Sequence, residues 1–113
     1  MKEKKTKEME AILVLTTVPG SSEAEEISST LVELRLAACV TFTSACRSTF
    51  WWQGEISQEE EFILFIKTKS SLYEALEKKI KEIHPYDVPE IIALTLSKGF
   101  SGYLTWLEKE TAS

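Results

Sequence analysis

Apolar positions along this chain switch between continuous, helical and alternating spacing, and each switch marks an element. Ala11 to Thr17, AILVLTT, is an unbroken aliphatic run of strand length, as expected of a central strand with both faces covered or nearly so. Val18-Pro19-Gly20 ends it. Ala24, Ile27, Leu31 and Leu34 then recur at spacings of three and four, which predicts a helix capped by Ser21 or Ser22 and running to about Arg35 or Leu36. Glu23, Glu25 and Glu26 fall where its dipole favours negative charge. Leu72, Leu76, Ile80 and Ile83 give the stripe of a second helix, opened by Lys69-Ser70-Ser71 and stopped at His84 by Pro85. Ile91 to Leu96 reads as a strand, and Ser101 to Glu110 as a short terminal helix that packs Tyr103, Leu104, Trp106 and Leu107.

The longest stretch of strand character lies between the two main helices. Cys39 to Thr43, then Phe50, Trp51 and Trp52, are largely β-branched or aromatic, Gln53-Gly54-Glu55 supplies a turn, and Phe62 to Ile66 is apolar again. Were Ala38 to Trp52 one unbroken strand, it would extend roughly 50 Å, whereas a compact domain of this length has a radius of gyration of about 13–14 Å. Such a hairpin must leave its own domain. Its Phe50, Trp51 and Trp52 would form an exposed patch that soluble monomers rarely tolerate, and a second copy of the chain is the simplest cover. The predicted order is strand, helix, strand, strand, helix, strand, helix. That is α+β: a ferredoxin-like split β-α-β sandwich with a long β-hairpin and an added C-terminal helix.

With 113 residues, 43% hydrophobic and 27% charged, the chain has the size of a single domain with a modest core. Residues 1–10, a Lys/Glu segment with little to bury, are expected to be a flexible tail before the domain at 11–113. A net charge of −5 disfavours a sequence-independent grip on nucleic acid, which needs clustered Lys and Arg. No apolar run reaches the length of a bilayer span and the first residues lack a signal-type pattern, so a cytoplasmic protein is expected. Cys39 and Cys46 are an odd number of positions apart. On a regular strand they point to opposite faces and cannot bridge, unless a bulge between them resets the faces.

Five motifs recur together: Leu36-Ala37-Ala38-Cys39-Val40, Trp52-Gln53-Gly54, Phe65-Ile66-Lys67-Thr68 preceded by Glu59 to Glu61, His84-Pro85-Tyr86-Asp87-Val88-Pro89-Glu90, and Tyr103-Leu104-Thr105-Trp106. In this order and spacing the chain resembles the CutA family of divalent-cation tolerance proteins over about Ala11 to Leu107. It departs from the family pattern at Thr41, where Asn or Ser is frequent, and at Phe50, where Tyr is common. The resemblance implies a homotrimer with hairpins pairing across subunit boundaries, an architecture similar to PII signalling proteins, no enzymatic activity, and binding of copper or another divalent cation.

The candidate chemistry follows from both readings. Cys39 offers a soft thiolate ligand, although a small buried apolar residue is the commoner role for a cysteine on a central strand. His84 is the sole histidine, either a ligand or a helix-terminal residue. Within the resemblance these two are the positions associated with copper, and Glu61, Asp87 and Glu90 are carboxylates that would complete a site shared between subunits. Lys67, Tyr86 and Trp106 are the candidates for an effector cleft that takes a small anion, as a PII-like protein would. Phe50, Trp51 and Trp52 are assigned to the trimer interface. A third reading is an enzyme with a Cys39 thiolate and His84 as base. The four glycines are scattered, so no phosphate-cradling loop is expected. Val88 and Ile83 are expected to anchor the ends of the two-proline loop in the core.

Overall fold

A computed structural model describes residues 9–113; the expected tail falls outside the described residues except for Met9 and Glu10, and Glu10 already accepts a hydrogen bond from the Ser70 N–H at 2.8 Å. The elements are β1 (Ala11–Val18), α1 (Ser21–Glu33), β2 (Cys39–Phe42), β3 (Cys46–Trp52), β4 (Glu55–Lys69), α2 (Tyr73–Ile83), β5 (Ile92–Thr95) and α3 (Ser101–Lys109). The antiparallel sheet has the order β2-β4-β1-β5, with β3 continuing the edge along β4. This is the expected ferredoxin-like order with its added helix.

Strand alternation divides the sheet into two faces. Ile12, Val14, Thr16 and Val18 of β1 pair with Thr68, Ile66, Leu64 and Phe62 of β4. With Ala24, Ile27 and Leu31 of α1 and Leu76 and Ile80 of α2, the apolar residues of these rows form the core. The intervening positions, Leu13 and Leu15 of β1, Ile63, Phe65 and Lys67 of β4, and Ile92 and Leu94 of β5, face the other way and are only half-buried or exposed. β1 is thus central in the sheet, yet covered fully on one face only.

The hairpin departs from the expected unbroken strand. Phe42 pairs with Leu64, but Cys46 pairs with Glu61, so residues 43–45 stand opposite only Phe62 and Ile63. One extra residue makes a β-bulge. Thr43 permits it, because its hydroxyl accepts the Ile63 N–H at 3.0 Å while its own N–H donates to the Ile63 carbonyl at 3.0 Å. The parity argument for the cysteines therefore fails: their partners, Lys67 and Glu61, are six residues apart on β4, which alternation places on one face. Both thiols are free, and roughly 20 Å of strand between them prevents a bridge.

Beyond the bulge, β3 and the first half of β4 form a free arm. Positive φ at both Gln53 (51°) and Gly54 (84°) closes it with the two-residue turn that matches strand twist. The arm stretches the chain to 61 × 27 × 26 Å and raises the radius of gyration to 16.0 Å, above the compact expectation. Trp51 is 72% exposed, Trp52 52% and Ile56 63%.

Smaller departures have local causes. Gly20, not Ser21 or Ser22, holds the N-cap position of α1, without a side-chain cap. The same helix ends at Glu33, and Arg35 then turns into the left-handed region (φ 60°). There the N–H groups of Arg35 and Leu36 reach back to the carbonyls of Val32 and Leu31, a Schellman arrangement usually completed by glycine. Lys69-Ser70-Ser71 does not open α2 directly; a 3-10 turn over Ser70–Leu72 precedes it. Val88 is not a core anchor but 75% exposed, since Pro85 and Pro89 carry the loop outward. β5 is shorter than Ile91 to Leu96 and lies exposed at the sheet edge. In α3 only Leu107 is fully buried, while Tyr103 and Trp106 stay exposed.

Candidate functional site

Two clusters of polar side chains emerge, on different parts of the sheet. The first sits where the arm leaves the body. Pro85 ends α2 and sets His84 in extended backbone, which turns the imidazole inward until it is 8% exposed. Its Nε2 lies 2.9 Å from the Thr17 carbonyl and its Nδ1 accepts the Tyr86 N–H at 3.1 Å. A carbonyl can only accept and an N–H can only donate, so the ring is the neutral tautomer with its proton on Nε2. Burial lowers its pKa from the usual histidine value, and the Thr17 carbonyl and the Glu61 carboxylate oppose that shift. The Tyr86 ring tilts against His84 at a centroid distance of 5.0 Å, and its hydroxyl donates to Glu61 Oε2 at 2.9 Å. Glu61 is 6% exposed. Burial and then the carboxylates of Glu61, Glu59 and Glu23 push the Tyr86 pKa far upward, so the phenol stays a donor.

The second cluster lies on the less covered face. Lys67 of β4 pairs with Cys39 of β2, and its Nζ lies 3.3 Å from Thr41 Oγ1 and 3.9 Å from Cys39 Sγ. Among the described residues the ion pairs are Arg35 with Glu110 and Lys79 with Glu82; Lys67 has no carboxylate. Burial raises the Tyr103 phenol's pKa, and the nearness of Cys39 adds to that shift. Tyr103 also packs on Trp106 at 5.5 Å.

These placements regroup the residues singled out in the sequence. His84 and Glu61 come together, joined by Tyr86, whereas Cys39 sits by Lys67. Asp87 and Glu90 are exposed on the loop and belong to neither cluster. Lys67 and Tyr86 are likewise separate. The thiolate–imidazole pair that an enzyme would need is not assembled within the protomer, since Cys39 sits by Lys67 and His84 by Thr17. The place of Thr41 and Tyr103 beside Lys67 and Cys39 and the buried state of Glu61 escaped sequence reasoning; the departure at Thr41 and the Tyr103-to-Trp106 motif were the signals for the first two.

The donor set does not fit a metal centre within one protomer. Among the described residues no three of His, Cys, Asp and Glu converge. Both nitrogens of His84 are already engaged, and the neighbour of Cys39 is a cation. The geometry instead performs structural chemistry: His84 and Tyr86 tie the loop to β1 and to the root of the arm.

The sheet order, the long arm and the two-proline loop define a ferredoxin-like sandwich protein with an outlying hairpin. The family described as CutA1 divalent ion tolerance protein matches residues 12–110. The divalent-cation tolerance protein CutA of Thermus thermophilus is 42% identical over 99 residues, covering 88% of this chain and 96% of that protein. Its namesake from Pectobacterium atrosepticum is 42% identical over 98 residues, covering 87% and 89%. The solved structure of the Thermus thermophilus protein superposes with a TM-score of 0.88 at 41% identity, covering 90% of this chain and 99% of that one. The chain belongs to the CutA1 divalent-ion tolerance family.

Proposed function

We propose that this chain is a non-enzymatic divalent-cation tolerance protein of the cytoplasm that works as a homotrimer. One observation carries the reading: the half-covered face of the sheet continues without a break along the arm. Alternation along β4 places Glu61, Glu59, Ser57 and Glu55 on the side of Lys67, Phe65 and Ile63. Their partners Cys46, Ser48, Phe50 and Trp52 share that side. The bulge is responsible, since without it Trp51 would take that side in place of Phe50 and Trp52. Exposed apolar side chains stand at both ends of this face, Ile92 and Leu94 on the body and Phe50 and Trp52 near the tip, a pattern that soluble monomers rarely leave in water. Trp51 and Ile56 are exposed on the arm's other side, so an arm lying between neighbouring copies suits a closed ring in which each copy covers the next. Three copies is the number implied by the resemblance noted in the sequence.

The divalent cation, copper among the candidates, is then met between protomers. Exposed Asp87 and Glu90 are the ligands free to turn outward, with Cys39 as a soft ligand on the covered surface and His84 with Glu61 holding the loop in place. Calorimetric titration with copper in a weakly coordinating buffer, with native mass recorded on the same samples, tests this. An integral number of sites per trimer, lost in Asp87→Asn/Glu90→Gln and retained in His84→Gln, is expected. An assembled trimer with no saturable heat would contradict the cation reading. A second reading, a small anionic effector held near Lys67, Tyr86 and Trp106 in a cleft between subunits, is favoured by the lack of a carboxylate at Lys67 among the described residues. It predicts ligand-dependent thermal stabilisation that Lys67→Gln abolishes.

A further inference from the structure

Among the positions of β1, β2, β5 and the body of β4 that face away from α1 and α2, the charged residues are Lys67 and, at the end of β4 opposite Ala11, the buried Lys69. The Lys67 ammonium has a hydroxyl and a thiol for company and, among the described residues, no carboxylate. On the arm the situation is reversed. Glu55 and Glu59 share a side with Phe50 and Trp52, standing directly across from Trp52 and Ser48. Both are exposed, and neither belongs to an ion pair among the described residues. Whatever covers this surface removes the lysine and these glutamates from water together, and leaving either charge unpaired is costly.

Along β4 these charges cannot reach one another. Glu59 lies eight residues from Lys67 on the same strand, roughly 26 Å away, and Glu55 twelve residues, roughly 40 Å. Glu61 is nearer but already holds the Tyr86 hydroxyl. A lysine side chain spans only a fraction of these separations. A small anion would neutralise Lys67 and leave the arm's glutamates stranded, whereas a second copy neutralises both at once. The net charge of −5 per chain strengthens the point, because copies that repel overall need complementary charges where they touch.

We infer that, in the assembly, Lys67 of one copy is paired with an arm carboxylate, Glu55 or Glu59, of another copy. The site around Lys67, Cys39 and Thr41 is therefore complete only when a second chain contributes to it. The inference rests on the assembly reading above and adds the charged contact that sets the register of arm against sheet.

A charge-exchange series tests it. Native mass and assembly midpoint are measured by sedimentation equilibrium for wild type, Lys67→Glu, Glu55→Lys, Glu59→Lys, and the doubles Lys67→Glu/Glu55→Lys and Lys67→Glu/Glu59→Lys. Lys67→Glu should weaken assembly at least about tenfold, and one double should recover it, since every interface in the double regains an opposite-charge pair. Recovery of assembly itself demonstrates folding, so a Lys67→Glu protein that fails to fold alone leaves the doubles decisive. Wild type assembled while neither double recovers would overturn the pairing and leave the assembly reading intact. Stabilisation of the wild-type assembly by inorganic phosphate, lost in Lys67→Gln, with no recovery in the doubles, would overturn it in favour of a small anion. A monomeric wild type would overturn both readings.

Discussion

Val14, Leu64 and Ile66 are fully covered by two helices, while Leu13, Phe65 and Lys67, next to them in the chain, are only half covered. The two faces of this sheet differ in what holds them. On the helix side, burial is complete within one chain and stability is a property of the protomer. On the other side apolar surface remains in water, and the same side of the arm carries Phe50 and Trp52 near its tip, with Trp51 and Ile56 exposed behind them. The same alternating sequence thus folds one face and leaves the other for assembly.

The comparison breaks most readily on the covered face. Leu64→Ala removes a fully buried side chain and should cost about 2–5 kcal/mol. In denaturant titrations the loss should be independent of protein concentration; an effect that vanishes on dilution would mean that the two faces are not energetically distinct. Next in size is the tie at the root of the arm. Tyr86→Phe strips buried Glu61 of its hydroxyl donor and should cost about 1.5–3 kcal/mol by the same assay, the range for hydrogen bonds to charged groups. An unchanged midpoint would show that Glu61 finds water instead.

A pH series sharpens the same junction. His84 has a pKa below the usual 6.5 in the folded chain, so the unfolded state binds a proton that the folded state refuses. Stability is complete above about pH 6.5 and is lost as pH falls from there through the folded value. Denaturation at pH 7.5 and 5.5 should show this loss in the wild type and a smaller one in His84→Gln. The smallest effect belongs to the exit of α1. Arg35→Gly relieves a left-handed backbone at a gain of about 1 kcal/mol and gives up an exposed ion pair with Glu110 worth about 0–1 kcal/mol. The net change in the melting curve should be slight, and a large destabilisation would reveal that the link from Arg35 to the C-terminal segment does more.

Much of this difference was legible in the sequence, and the parts that were not have identifiable reasons. The continuous run at β1, the helical stripes of α1 and α2 and the aromatic hairpin report burial, and burial is what hydrophobic spacing encodes. The bulge left no trace, because Thr43-Ser44-Ala45 carries neither glycine nor proline and the extra residue exists only in the pairing with β4. The aromatics that share a side with Lys67 therefore had to await the structure. Glu61 sat in an acidic run that reads as solvated, and its burial depends on Tyr86 arriving from a loop 25 residues later. Cys39 reads more readily as a buried strand residue than as a ligand; its half-buried place beside Lys67 follows from lying on the less covered face. Val88 was misjudged because two prolines determine the path of the loop more strongly than one valine's hydrophobicity.

The most direct test is the hydrodynamic mass of the wild type beside that of Trp52→Glu, each followed by circular dichroism. Wild type should sediment at three times its chain mass of 12.8 kDa, and the variant at a smaller mass with the spectrum of a folded protomer. A wild type that sediments as a single chain, or a variant that keeps the full mass and the same melting curve, would contradict the claim that the open face and its arm exist to be covered by another copy.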